Sequence, residues 1–374
     1  MRTTVALTLT GLVGLGVLPS ATRGAAPDAL ESWMLGPFVR HGVYVLGPRP
    51  DTVFRCPVGN SDVRWEEKAV FNPAAVVREG KVHLLYRAED GVGEGTSRIG
   101  LATSGDGVAF ERRPEPVLFP DDDFMMPYES EGGCEDPRVV EREDGAYVMT
   151  YTAFDGTKPR LAVATSRDLV HWTKHGLAFG KAEGGRFADL WSRSGAIVAA
   201  REGESRVAAV RIGGKYWMYW GDSDVFAATS DNLVDWTPVE REDLLARKPT
   251  RSFEVAVRTR RGRFDSRGVE PGPPALVTPR GILLLYNAAN DRERGDPTLP
   301  DGACAGGQVL LDPADPTVVL ARATEPFFRP QSPGEATGPT GHAPFLEGLV
   351  FFQGRWLLFY GTADSRIGLA EYRP

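Results

Sequence analysis

An internal repeat constrains the fold of this chain more than any other feature of its sequence. Five segments begin at a glycine turn, continue as an apolar run that contains a tyrosine and end in small polar residues. Self-similarity at a nearly fixed period indicates a repeat architecture, in which each copy forms one supersecondary unit. The tyrosines are Tyr86, Tyr151, Tyr219, Tyr286 and Tyr360, at intervals of 65, 68, 67 and 74 residues. The segments read GKVHLLYRAE, GAYVMTYTAF, GKYWMYWGDS, GILLLYNAAN and GRWLLFYGTA.

Each copy predicts β-strands separated by turns. Its apolar runs are rich in Val, Tyr, Trp and Phe, which favours strands. Three copies continue with GLATSGDGVAF, AVATSRDLVHW or FAATSDNLVDW, patterns typical of a strand that enters a hairpin turn. The period is longer than the about 40–45 residues of WD-type blades, and radial packing of sheets protects their edges. The sequence therefore predicts an all-β, five-bladed β-propeller of four-stranded blades, formed by residues 27–374 as a single domain.

The starts of the five units are expected to meet at one mouth of the central channel, because the innermost strand of every blade lines that channel. These starts read FNPAAVV, CEDPRVV, SGAIVAA or SRVAAVR, EPGPPALV and PFLEGLV. Polar residues at these places lie far apart along the chain but would face one another across the mouth.

The polar residues predicted at this mouth match the chemistry of glycosidic bond cleavage. That reaction needs a proton donor for the leaving oxygen and either a carboxylate or an external nucleophile opposite it. Arginines would bind hydroxyls or keep carboxylates ionised, and aromatic rings would pack against a sugar. An alternative interpretation assigns the same residues to strand-end turns and hydrogen bonds between blades. The candidates are the acids Asp136, Glu270, Glu335, Glu347 and Asp364, the arginines Arg87, Arg138 and Arg267, and the aromatics Tyr86, Tyr286, Phe345 and Tyr360.

Several of these motifs, taken together, resemble glycoside hydrolase family 130, which comprises β-mannoside phosphorylases and β-mannosidases on a five-bladed propeller. The resemblance runs from about Phe71 to the C-terminus. It rests on FNPAAVV, LLYRAEDG, SRIGLATSGDG, GGCEDPRVV, YTAFDG, ATSRDLVHW, VEPGPPALVTPRGILLLYNAAND and EGLVFFQGRWLLFYGTADSRIGLA.

The resemblance implies roles for four residues. Asp136 of EDPR would be the proton donor, acting directly or through a hydroxyl of the substrate. Asn72 of FNPA, Arg87 of YRAE and Asp364 of ADS would hold the sugar whose bond is broken.

Departures from the family's phosphorylase pattern favour the hydrolytic branch. Phosphate binding calls for several basic donors, and the family's lysine before the GxGxPP turn is matched here by Arg267. The family's histidine of YHG is Asn287, and Trp220 and Gly221 occupy a place that is basic in phosphorylases. Glu270, in the turn of the fourth unit, would repel phosphate and could activate water. It is the first choice for that role and Glu335 is the second.

The predicted function is therefore an exported glycosidase that cleaves β-mannoside-like linkages with inversion. Three alternatives stay open: a β-mannoside phosphorylase, a non-catalytic sugar-binding propeller and a propeller glycosidase of the arabinanase type. Arg138 and Arg267 are included with Asn72, Arg87 and Asp364 as substrate-binding candidates.

Residues 1–26 are expected to be a signal peptide. Arg2 precedes an apolar run from Val5 to Leu18 that is too short to span a bilayer, and small residues follow it. Cleavage after Ala21 or Ala26 would export the protein to the periplasm or the medium, with no membrane association afterwards.

Composition narrows the set of partners. A net charge of −7 gives no support to nucleic-acid binding, which needs a basic surface. The spacing of Cys56, Cys134 and Cys304 fits no zinc motif, and their odd number leaves at least one thiol without a disulfide partner in the chain. The five histidines form no ligand cluster. We therefore expect no metal and no cofactor. The expected partner is an oligosaccharide or glycoside substrate, and the oligomeric state is left open.

Overall fold

The computed structural model describes residues 31–91, 95–241, 253–331, 343–362 and 365–374. The predicted five-bladed β-propeller is confirmed, with one blade for each tyrosine repeat. The predicted boundary after residue 26 lies outside the described residues. Nothing in the described part of the chain tests the single-domain prediction.

Three strands precede the first repeat. Strand β1 belongs to blade 5, which is described below. Strands β2 and β3 form a separate antiparallel hairpin joined by a 3-10 turn. Their bounds are β1 Val39–Leu46, β2 Phe54–Cys56, the turn Val58–Asn60 and β3 Ser61–Val63.

Blades 1 and 2 are four-stranded antiparallel meanders that run from the channel outwards. A short helix, α1, lies between them. Blade 1 consists of β4 Ala69–Arg78, β5 Lys81–Glu89, β6 Ser97–Ser104 and β7 Glu111–Arg112. Helix α1 is Met126–Glu129, and blade 2 consists of β8 Gly133–Glu141, β9 Tyr147–Phe154, β10 Pro159–Ser166 and β11 Thr173–Leu177.

Blades 3 and 4 contain more strands than the predicted four. Blade 3 follows a 3-10 turn at Ala182–Gly185, and its strands are β12 Ala196–Glu202, β13 Arg206–Ala209, β14 Arg211–Ile212, β15 Lys215–Trp220, β16 Val225–Ser230, β17 Trp236–Pro238 and β18 Val255–Val257. Blade 4 consists of β19 Gly268–Pro271, β20 Ala275–Thr278, β21 Gly281–Ala289, β22 Cys304–Leu311 and β23 Val319–Arg322. Strands β12 and β20 pair in parallel and join the two blades.

Blade 5 closes the ring with strands from both ends of the chain. Its inner three strands are β24 Phe345–Phe352, β25 Arg355–Thr362 and β26 Arg366–Tyr372. Strand β1 pairs antiparallel with β26 as the outermost strand, with Val39 opposite Glu371 and Leu46 opposite Ile367. The N-terminal strand thus completes the last blade.

Alternating side chains of each strand fill the spaces between blades. In β5, Leu84 packs against blade 5 and the next residue, Leu85, packs against blade 2, because successive strand side chains point to opposite faces. Five clusters of buried apolar residues result among the described residues, one between each pair of neighbouring blades. The core of the molecule is therefore a ring of five interfaces around the channel.

The repeated tyrosines stabilise the blades and do not line the channel. In blades 1, 2 and 4 the tyrosine hydroxyl donates to a buried carboxylate that precedes the inner strand, and that carboxylate also pairs with a cation on the outermost strand. We call each such set a clasp. The clasps are Tyr86–Glu66–Arg112, Tyr151–Glu129–Lys174 and Tyr286–Asp265–Arg322, with O···O and N···O distances of 2.5–3.1 Å.

The clasps overturn one expectation and explain a sequence pattern. Tyr86, Tyr286 and Tyr360 are buried within or between blades and do not line the cavity, so the prediction that they pack against a sugar is wrong. Gly100 and Gly307 stand directly opposite Tyr86 and Tyr286 in the neighbouring strand. A Cβ at either glycine would lie 2.3 or 2.1 Å from the tyrosine ring.

Cys56, Cys134 and Cys304 are buried, and no disulfide joins any of them in the described part of the chain. Within the described ranges, no helix has the length and apolarity needed to cross a bilayer. No three His, Cys, Asp or Glu side chains of those ranges are arranged to hold a metal ion.

Candidate active site

Side chains from all five blades line one cavity of about 580 Å³ at the mouth of the channel. This volume lies in the range of about 300–1,000 Å³ that is typical of small-molecule sites. Five residues predicted from the sequence lie together in its lining, although up to 198 positions separate them in the chain. They are Asn72, Arg87, Asp136, Arg267 and Glu270. Phe345, predicted as an aromatic contact, also lines the cavity.

Asn72 and Asp136 occupy equivalent places in blades 1 and 2. Each stands at a β-bulge near the start of the inner strand, and each has a left-handed backbone, with φ of 46° and 48°. Asn and Asp are the residues that tolerate this conformation best after glycine, and bulges are frequent beside active sites because they re-aim a side chain. The two side chains meet, since Asn72 Nδ2 donates to Asp136 Oδ1 at 2.9 Å.

The other amide atom of Asn72 is directed to no protein group. Asn72 Oδ1 is buried and has no hydrogen-bond partner in the described part of the chain. A buried oxygen without a partner is costly, and this oxygen belongs to a residue that lines the cavity. Asn72 is therefore suited to accept a hydrogen bond from a ligand hydroxyl while its amino group orients Asp136.

Asp136 is held as a carboxylate. Burial alone would raise its pKa, but the charges of Arg87 and Arg193 and the hydrogen bond from Asn72 lower the pKa below its ordinary value. Arg87 Nη1 lies 3.2 Å from Oδ1, and Arg193 Nη2 lies 3.4 Å from Oδ2. Asp136 is 4% exposed, so it lies at the floor of the cavity.

Glu135 shares both arginines with Asp136. Its two oxygens lie 2.8 Å from Arg87 Nη2 and 3.2 Å from Arg193 Nη2. Burial and the adjacent charge of Asp136, opposed by Arg87 and Arg193, raise the pKa of Glu135 to about 7. Two acids this strongly coupled titrate as a pair. The pair therefore holds one exchangeable proton close to neutral pH.

Glu270 faces the same cavity as Asp136, as do Glu89 and Asp222. It lies in β19, partly exposed to the cavity, and accepts a short hydrogen bond from the Ser194 hydroxyl. Burial raises the pKa of Glu270, although Arg193 opposes the shift. Because Ser194 follows Arg193 in the chain, one turn before blade 3 contacts both Asp136 and Glu270. That turn includes a left-handed residue, Ser194, at φ 59°.

Arg138 has a different place from the one predicted. It is almost fully buried and does not line the cavity. Its guanidinium donates to the carbonyl oxygens of Pro271 and Gly272 at 2.8 Å and to that of Asp136 at 3.2 Å, and it pairs with Glu347 at 3.0 Å. Arg138 therefore joins the backbone beside Asp136 to the backbone beside Glu270, and its substrate-binding role stays a prediction. Burial raises the pKa of Glu347 well above its ordinary value.

The remaining basic groups of the cavity have protein partners. Arg87 donates to Ser97 and Glu89 in addition to the acid pair, and its guanidinium lies 4.7 Å from the centre of the Phe71 ring. Arg267 is half-exposed at the rim, with Nη1 3.8 Å from Asp301 Oδ2.

Asn287 and Trp220, at places where the family resemblance implies basic residues for a phosphorylase, contact protein groups. Asn287 uses both ends of its amide on the backbone of Leu346, at 3.0 and 2.7 Å. Trp220 is buried among Phe179, Phe226 and Phe253 and lies outside the cavity lining.

Two predicted residues are not placed by the structure. Glu335 and Asp364 lie outside the described residues, and their roles stay predictions. Ser365 lines the cavity from blade 5.

Sequence reasoning missed the turn before blade 3. Arg193, Ser194 and Asp222 received no role, although Arg193 and Asp222 line the cavity and Ser194 bonds Glu270. The position of Ser194 in the repeat was the available signal. In SRSGAIV it stands at the entry of an inner strand, the place that Asn72 and Asp136 occupy in the first two blades.

Comparison with known proteins agrees with this fold. The family model of glycoside hydrolase family 130, described as beta-1,4-mannooligosaccharide phosphorylase, matches residues 47–373. A curated relative, the 1,2-beta-oligomannan phosphorylase of Thermoanaerobacter sp. (strain X514), is 30% identical over 315 residues, which cover 82% of this chain and 90% of the relative.

Two solved structures are more similar in sequence. A glycosyl hydrolase from Bacteroides ovatus is 44% identical, with a TM-score of 0.87 over 92% of this chain and 96% of its own. Another structure is 45% identical, with a TM-score of 0.88 and the same coverage. Its description states that the GH130 family of mannoside phosphorylases contains glycoside hydrolases that target beta-1,2 mannosidic linkages in Candida mannan. The chain therefore belongs to glycoside hydrolase family 130, the enzyme family that its sequence motifs resemble.

Proposed function

We propose that this protein cleaves β-mannosidic linkages of oligosaccharides by a single displacement with inversion, using water as the acceptor. One observation carries the choice of water: Glu270 faces the same cavity as Asp136, in the turn where the family resemblance implies neutral residues for a phosphorylase. An inverting glycosidase needs two carboxyl groups about 6.5–9.5 Å apart, with room for a water between the base and the sugar.

In this mechanism the Glu135–Asp136 pair supplies the proton. Asp136 is the member that lines the cavity, so it passes the proton to the leaving oxygen, directly or through a hydroxyl of the bound sugar. Glu270 takes a proton from water, whose oxygen bonds to the anomeric carbon as the glycosidic C–O bond breaks. Asn72 Oδ1 accepts a hydroxyl of that sugar. Arg193 stabilises Asp136 and Glu270 as carboxylates when each is ionised.

The electrostatics of the cavity also favour water over phosphate. Phosphate needs charge-assisted donors that are not already neutralised. Arg87 and Arg193 are both paired with Glu135 and Asp136, and Asn287 is bonded to backbone. A dianion near Glu270 would meet a like charge. The structure 45% identical to this chain, whose description mentions hydrolases acting on beta-1,2 mannosidic linkages, supports the same choice.

Phosphorolysis is the second candidate, and the curated relatives favour it over hydrolysis. The relative at 30% identity is a phosphorylase, and the family model carries a phosphorylase description. Arg267 would then serve as a phosphate ligand at the cavity rim. The proton donor and the sugar contacts would be the same in both reactions, so only the acceptor differs.

The decisive experiment compares acceptors. Purified protein is incubated with β-1,2- and β-1,4-linked mannobiose and mannotriose, with and without inorganic phosphate, and the products are followed by NMR with time. We expect α-mannose as the first product at a rate independent of phosphate. Mannose 1-phosphate formed only with phosphate would instead establish the phosphorylase. If no cleavage occurs under either condition, the non-catalytic sugar-binding propeller is the alternative that remains.

Variants assign the acids. General acid or base catalysis contributes about 10²–10⁴-fold, so Asp136→Asn and Glu270→Gln should each slow turnover by that order. Glu325→Gln, a change at an exposed acid that does not line the cavity, is the matched control. Full activity of Glu270→Gln would transfer the base role to Glu335, which Glu335→Gln then tests.

We also propose that residues 1–26 are removed on export, leaving residues 27–374 as a single secreted or periplasmic domain. The support is the apolar run between Arg2 and Pro19. N-terminal sequencing of protein recovered from the exported fraction should start near Thr22 or Pro27, and a start at Met1 would contradict the proposal.

A further inference from the structure

Trp191 stands out among the tryptophans of this protein. It is 51% exposed, whereas the other seven are buried or half-buried. A single exposed aromatic residue needs no explanation by itself. The surroundings of Trp191, however, indicate a role for its exposed ring.

The indole ring of Trp191 is fixed beside the cavity. Its Nε1–H donates to Asp222 Oδ2 at 3.0 Å, and Asp222 lines the cavity. Trp191 also begins the turn that contains Arg193 and Ser194, which contact Asp136 and Glu270. Trp191 does not itself line the cavity, but its partner Asp222 does, so the exposed indole lies next to the rim and only two residues before Arg193.

The chemistry of this pair suits a sugar. An indole face binds the C–H face of a pyranose, while the polar edge of the ring keeps its hydrogen bond. Asp222 is beside that face and is suited to accept sugar hydroxyls. The sugar whose bond is broken must reach Asp136, which is 4% exposed at the floor. The rest of an oligosaccharide then extends past the rim.

We propose that Trp191 and Asp222 form a second sugar subsite at the rim, which binds the leaving-group part of a β-linked mannooligosaccharide. This inference rests on the proposed function for the identity of the sugar. It makes chain length a determinant of affinity: an oligosaccharide contacts both the floor and the rim, whereas a mannoside with a small leaving group contacts the floor alone.

The test measures binding separately from cleavage. Calorimetry compares β-1,2-linked mannotriose with methyl β-mannoside on the Asp136→Asn protein, with and without Trp191→Ala. We expect Trp191→Ala to weaken mannotriose binding about ten-fold, the loss of one good aromatic contact, and to leave methyl β-mannoside unchanged. Trp191→Phe should retain most of the affinity. Phe124→Ala removes another exposed aromatic residue, one outside the cavity lining, and should change neither ligand.

Two results would overturn the subsite. One is an equal effect of Trp191→Ala on both ligands, or no effect on either. The other is a change of oligomeric state in gel filtration without a length-dependent loss, which would make Trp191 an interface residue. Because calorimetry needs no turnover, an enzyme that cleaved none of the tested mannosides would contradict the proposed function, while length-dependent binding would still support the subsite.

Discussion

Proline explains why the polar residues of the cavity stand where they do. Asn72, Asp136 and Glu270 each immediately precede a proline in an inner strand. Proline has no N–H to donate to the neighbouring strand, so it is found at strand starts, edges and bulges. Blades 1 and 2 each have a bulge at this point. The interruption turns the preceding side chain towards the channel, where side chains of different blades meet.

The acid pair predicts a shift in the pH dependence of catalysis. In the wild type, the proton of the Glu135–Asp136 pair is lost at about pH 7, so kcat/KM should fall above that pH. With Glu135→Gln, the proton must reside on Asp136 alone, whose pKa the arginines hold low. The alkaline limb should therefore move to lower pH, and activity at pH 7 should drop. A profile of kcat/KM from pH 4 to 9 measures this.

Glu111→Gln, at an exposed acid, is the control and should keep the wild-type limb. An unshifted alkaline limb in Glu135→Gln would show that the pair does not carry the catalytic proton.

The sequence predicted the site wherever local pattern decides a side chain's place. The inner-strand motifs located Asn72, Asp136 and Glu270. Arg138 was expected at the mouth beside Asp136 but is buried, because the bulge between Glu135 and Arg138 changes the alternation of side chains along the strand. Arg193 was missed because its importance comes from acids of blades 2 and 4, which no local pattern reveals.

In blades 1, 2 and 4 the clasp links the repeated tyrosine to other strands of its blade. It joins the segment before the inner strand to the second strand and to the outermost strand, as in Tyr86, Glu66 and Arg112. The tyrosine also needs a small residue opposite it, which Gly100 supplies. A tyrosine with a small residue opposite it recurs at the same strand position of each blade. The small residue is glycine in blades 1, 4 and 5 and alanine in blades 2 and 3. The extra strands of blade 3 were not predicted, because both segments offered as its inner strand form strands and pair with each other.

Gly100→Ala should destabilise the protein strongly. The new Cβ would lie 2.3 Å from the Tyr86 ring, which is held by Glu66 and stacks on Trp65. Overpacking a rigid site costs about 1–3 kcal/mol, and sometimes more, so we expect a loss near the upper end. Urea unfolding followed by tryptophan fluorescence measures it.

The matched control is Gly105→Ala, since no atom lies within 4 Å of a Cβ at that glycine. It should change the free energy of unfolding by less than about 0.5 kcal/mol. Equal stability of the two variants would mean that the tyrosine ring is free to move, contrary to the clasp.

At the scale of the whole molecule, stability depends on closing the ring. The five interfaces between blades form a cycle, and the interface between blades 5 and 1 includes Leu46 of β1. Phe38, just before β1, packs against Phe327 and Tyr372. Arg40 donates to the carbonyl oxygen of Arg329 at 2.6 Å. The first strand thus contacts both the fourth and the fifth blade.

A chain that begins at Pro48 should therefore be less stable than one that begins at Glu31. Loss of Leu46 alone removes about 1.5–3 kcal/mol of apolar burial, so the free energy of unfolding should fall by more than about 2 kcal/mol. The uncovered edge of β26 should also promote association, since unpaired edges pair with other chains. Urea unfolding and light scattering test the two effects. Equal unfolding midpoints would show that β1 is dispensable.

The pairing of β1 with β26 also decides how this protein would respond to a pulling force. Val39, at the start of β1, lies opposite Glu371, near the end of β26, so both chain ends leave the blade at the same edge. Tension between the ends acts across the ladder and loads one pair of hydrogen bonds at a time. The propeller would open stepwise from its last blade at low force, whereas strands pulled along their length must break all their hydrogen bonds together.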